Sequence, residues 1–155
     1  MRNPRSGSKL GEERIDLPPR LGAIVAGVAS FGFGLDEKGI YGFEKWRIAF
    51  VEAISKPEVT DEDLSVLGRL FSDNQHRMDE YIRLKKPEAE DLVHARLTLN
   101  RATRVSVCIS QEMEKRRNGP ASVEVRDALA QVARAFEEAE QRILVSAGIV
   151  SGGKH

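Results

Sequence analysis

The chain has 155 residues and a mass of 17.2 kDa, enough for one domain with its own core and no need of disulfide or metal staples. Lys plus Arg number 24 and Asp plus Glu 24, so whole-chain charge supplies no pull toward nucleic acid or anionic membrane. Cys108 is the only cysteine, which excludes an intramolecular disulfide framework and a zinc finger and suits a reducing, cytoplasmic setting.

Residues 1–17 mix Gly, Ser, Pro and both charges with no apolar period, and read as a flexible N-terminal tail. Leu21 to Leu35 is the longest uncharged stretch, but its fifteen residues fall short of the roughly 20 that a membrane-spanning helix needs. Glu12, Glu13, Asp16 and Pro18-Pro19 precede it, unlike the short basic leader of a signal peptide. It carries no basic residue either, so burial is expected rather than contact with a membrane surface. Leu21, Ile24, Val25, Val28 and Phe31 recur at steps of three and four, predicting a buried first helix over 19–31.

Gly32, Gly34, Gly39 and Gly42 predict a loop or small hairpin over 32–42, with a turn at Asp36-Glu37-Lys38-Gly39. Trp46, Phe50, Ala53 and Ile54 then share a face, predicting a helix over 43–55 that stops at Lys56-Pro57. Thr60 is the expected N-cap of the next helix. Asp61, Glu62 and Asp63 favour its positive end, and Leu64, Leu67, Phe71, Met78 and Ile82 carry an apolar stripe to about residue 83. Lys85-Lys86-Pro87 breaks the pattern before a long helix that runs to Lys115-Arg116-Arg117 and closes at Asn118-Gly119-Pro120.

The last helix begins near Ser122. Its apolar positions Val125, Leu129, Val132, Phe136, Ala139 and Ile143 are spaced 4, 3, 4, 3 and 4, the most regular pattern in the chain. The short connection makes the preceding helix its antiparallel neighbour. The expected fold is therefore all-α: a single-domain helical bundle of about five helices over 18–148, with a long C-terminal antiparallel hairpin as its spine and a second flexible tail over 149–155.

Two constellations could carry chemistry. Asp73-x-x-His76 and Asp91-x-x-His94 each put a carboxylate and an imidazole on one helical face, and counting from the turn near 85–87 sets the pairs at similar heights on neighbouring helices. A metal site there would need further acids from other helices, and solvated polar faces are the simpler expectation. Arg96, Arg101 and Arg104, with basic clusters at both ends of the long helix, form the other candidate, but no aromatic is interleaved to stack on bases. Cys108 lies among Val105, Val107 and Ile109, as an inert core cysteine does.

No catalytic constellation is complete, and no cofactor is implied. The expectation is a non-enzymatic helical interaction or assembly protein that self-associates or binds another helical protein. Val125, Leu129, Val132, Phe136 and Ile143 are its interaction residues, and neither nucleic acid nor membrane is the expected partner. The alternatives are a small metal-dependent enzyme using Asp73, His76, Asp91 and His94, or a helical nucleic-acid-binding regulator.

Overall fold

The computed structural model describes residues 19–25 and 37–148, and side chains within these spans except at 20 and 37–41. The expected tails over 1–17 and 149–155 and the part of the first helix beyond Val25 lie outside the described residues. Five helices follow one another: α1 (Pro19–Val25), α2 (Glu37–Ile54), α3 (Asp61–Lys85), α4 (Ala89–Asn118) and α5 (Val123–Ser146). There is no strand among the described residues, so the all-α expectation holds.

The expected loop over 32–42 is corrected in its second half, where α2 already begins at Glu37. Gly39 and Gly42 cost about 1 kcal/mol each inside a helix. Burial of Phe43 and Trp46 on the following turn outweighs that, since a buried aromatic contributes about 1.5–3 kcal/mol. The start of α3 follows the sequence closely. Thr60 Oγ1 accepts from the Asp63 backbone N–H at 3.0 Å, and the Asp63 carboxylate accepts from the Thr60 N–H at 3.0 Å, a reciprocal cap. Lys86, in the left-handed region at φ 47°, ends α3, and Gly119, at φ 84°, ends α4.

The core gathers Leu21 of α1; Phe43, Trp46, Phe50 and Ile54 of α2; Leu64, Leu67 and Phe71 of α3; and Val105 and Ile109 of α4. Trp46 stacks on Phe50 with centroids 4.9 Å apart, and Phe50 meets Phe71 edge-on at 6.0 Å. The closest helix pair is α3 with α4, and α5 packs less extensively on α4. The two-helix spine expected from α4 and α5 is therefore shared with α3. The reason lies in side-chain size, because α3 sends Leu64, Leu67 and Phe71 into the core whereas α5 buries only Leu144.

Arg116 closes the connection between α2 and α3. Its guanidinium donates to the carbonyls of Val59 at 2.6 Å, Ile54 at 2.9 Å and Lys56 at 3.2 Å, and to the Glu112 carboxylate at 2.8 Å. It thereby satisfies the last carbonyl of α2, that of Ile54, which has no partner within the helix, together with two carbonyls of the connection that follows. Arg116→Ala is expected to cost about 1.5–3 kcal/mol, the range for hydrogen bonds to a charged donor, as measured by urea denaturation.

Candidate interaction surface on the terminal helix

Helix α5 starts where Ser122 Oγ accepts from the Val125 N–H at 3.2 Å, with Glu124 in the first turn favouring the positive end of the helix. Its C-terminal half is anchored. Leu144 is 2% exposed, and the Phe136 carbonyl accepts from Asn100 Nδ2 at 3.2 Å. Glu140 accepts from Arg101 at 2.6 and 3.0 Å and from Arg104 at 3.1 Å.

The N-terminal half differs. Val125 is 48% exposed and Val132 42%, while Leu129, Phe136, Ala139 and Ile143 are half-buried. Small side chains explain the gap, since Ala130 and Ala133 face an opening of about 400 Å³ floored by Val107, Cys108 and Gln111 of α4. Arg47 and Arg104 line one end of this groove and Arg126 another part of it. The predicted interaction residues Val125, Leu129, Val132, Phe136 and Ile143 thus form one continuous apolar strip that α4 covers only in part.

A charged knot sits beside the groove. Arg101 is 0% exposed, and its guanidinium and that of Arg104 each lie 4.8 Å from the centre of the Phe43 ring. Arg104 also pairs with Glu44 at 3.1 Å and Glu137 at 3.8 Å. A hydrogen bond from Arg47, reinforced by the charges of Arg47 and Arg104, holds the Glu44 carboxyl below its usual range despite its partial burial. The stability this pairing contributes is present at neutral pH and is lost as acid protonates Glu44 through that lowered value. Arg47 also donates to Cys108 Sγ at 3.7 Å, yet burial dominates and pushes the thiol up, so it stays neutral near pH 7.

This knot was not visible in the sequence, where Arg101 and Arg104 read as part of a basic ridge. The structure corrects that reading, because two of the three proposed phosphate contacts are buried in ion pairs and only Arg96 is exposed. Their neighbours Leu97, Val105 and Cys108 on the same face were the available signal that the ridge turns inward.

The Asp-x-x-His pairs are dispersed. Asp73 is bound to Arg77 at 2.7 Å, and His76, 70% exposed, approaches Glu80 at 3.7 Å, each within α3. Asp91 and His94 are exposed on α4. The expected equality of height is corrected as well. Gln75 bonds Ser106 at 2.8 Å and Gly68 stands against Ile109, so His94 lies nearer the hairpin tip than His76 by roughly 10–16 Å. Among the described residues, no three His, Cys, Asp or Glu side chains are grouped to hold a metal ion. Thermal melts with and without added zinc or manganese are expected to coincide, and a stabilisation abolished by His76→Ala with His94→Ala is the contrary result.

Among the described residues no helix is long and apolar enough to cross a membrane. Compared with protein-family models, curated proteins and solved structures, the chain matches none.

Proposed function

We propose that this protein is a non-enzymatic helical interaction or assembly protein that self-associates through its terminal helix. The observation that carries the reading is the exposure of Val125 and Val132 within an otherwise regular apolar strip. Isolated surface valines are ordinary, but these continue through Leu129 and Phe136 into a groove already lined on its other side, which is what a partner helix fills. A reducing, cytoplasmic setting fits the single free Cys108. Light scattering on the full chain from micromolar to millimolar concentration tests the reading. A dimer or larger species is expected, and a monomer throughout that range overturns it.

Neither alternative has a supporting observation of its own. The carboxylate and imidazole pairs stand on separate turns, and two of the three arginines that would meet phosphates, Arg101 and Arg104, are engaged with Glu140 and Glu44.

A further inference from the structure

We infer that α5 is a detachable strap, which releases from α4 as one unit while the core of α2, α3 and α4 stays folded. This is a property of the single chain and goes beyond the self-association proposed above. The continuous core that runs from Leu21 to Ile109 includes no residue of α5, and neither do the half-buried side chains packed against it, Ile24, Val25, Val66, Leu70 and Met113. Releasing α5 therefore leaves that core intact. From Val123 to Ala135 every side chain of α5 is exposed except Leu129, which is half-buried. Leu144 is its one buried residue in 24, whereas α3 buries Leu64, Leu67 and Phe71 and α4 buries ten residues. Buried apolar surface sets how costly an element is to open, so α5 stands at the low end.

What holds the strap down is polar and local. The Asn100 bond to the Phe136 carbonyl, the Arg104 pair with Glu137 and the bonds of Arg101 and Arg104 to Glu140 all fall between residues 136 and 140 of α5. Closing this tether takes Glu140 and two guanidinium groups largely out of water, and opening it restores their hydration, which offsets much of the lost attraction. A helix of this length is marginal in water once it loses its packing, so the released strap gives up its backbone protection. Opening uncovers Val107, Cys108 and Gln111 of α4, which floor the groove under α5.

Hydrogen exchange of the full-length protein at low micromolar concentration, read by mass spectrometry, tests this. Relative to their intrinsic rates, the amides of Phe136 to Leu144 are expected to exchange at least about 100-fold faster than those of Leu67 to Phe71 in α3. Glu140→Gln, which removes the charge but keeps the shape, is expected to speed exchange in α5 by at least about tenfold. Ile109→Val trims the core away from α5 and supplies the discriminating case. It is expected to speed exchange in α3 about fivefold and to leave α5 unchanged, because the closed and released states both keep that side chain packed. Equal protection of α5 and α3 in the wild type, or an Ile109→Val variant that speeds both alike, would show one cooperative unit and overturn the strap. Self-association is read separately, as slower α5 exchange at higher concentration, so the failure of either reading leaves the other measurable.

Discussion

Arg101→Ala is expected to lower folding stability by about 3–5 kcal/mol, the largest effect of any single replacement outside the aromatic core. Three losses coincide at that position. The side chain is the largest among those with no exposure, so truncation opens a cavity. Its bidentate bond to Glu140 disappears, which leaves that carboxylate, itself 14% exposed, to Arg104 alone. The guanidinium face against Phe43 is lost as well. Arg101→Lys keeps the charge but not the fork or the flat stacking surface, and is expected to recover less than half of the loss. Urea denaturation followed by circular dichroism provides the measurement. A cost below about 1 kcal/mol would show that the knot is incidental to the fold.

Val125→Glu combined with Val132→Glu should weaken self-association by more than about 100-fold, equivalent to about 2.7 kcal/mol. In the proposed dimer four carboxylates would take the places of four apolar side chains, and an unpaired charge is costly to remove from water. Both positions are more than two-fifths exposed in the single chain, so the monomer's melting point should barely move. That separation distinguishes an interface defect from a folding defect. A variant that associates as strongly as the wild type would locate the contact elsewhere.

What the sequence made legible were the features that depend on near neighbours. Thr60 announces the start of α3, Gly119 the end of α4, and the 4-3 spacing from Val125 to Ile143 the apolar strip of α5. Features that depend on distant neighbours were hidden. Nothing local to Gly39 or Gly42 reveals that Phe43 and Trp46 will draw the helix back to Glu37. An arginine at 101 looks like surface until Phe43 and Glu140, on two other helices, are known to enclose it. The heights of His76 and His94 depend on the register of the α3–α4 hairpin, which Gly68, Gln75, Ser106 and Ile109 set by contact rather than by counting from the turn. The candidate surface was the easier case, since an apolar strip is local, whereas its degree of coverage depends on how small the facing residues Ala130 and Ala133 are.

The Arg116 tie bears on the order in which the chain can fold. The carbonyls of Ile54, Lys56 and Val59 receive their donor from a residue 57 to 62 positions further on. The link between α2 and α3 is therefore completed only after the α3–α4 hairpin has closed and brought the far end of α4 back alongside it. Interactions that form after the rate-limiting barrier act on the rate of unfolding rather than folding. If the Arg116 bonds form after that barrier, Arg116→Ala is expected to speed unfolding while leaving the folding rate nearly unchanged, as read from the two arms of a chevron plot.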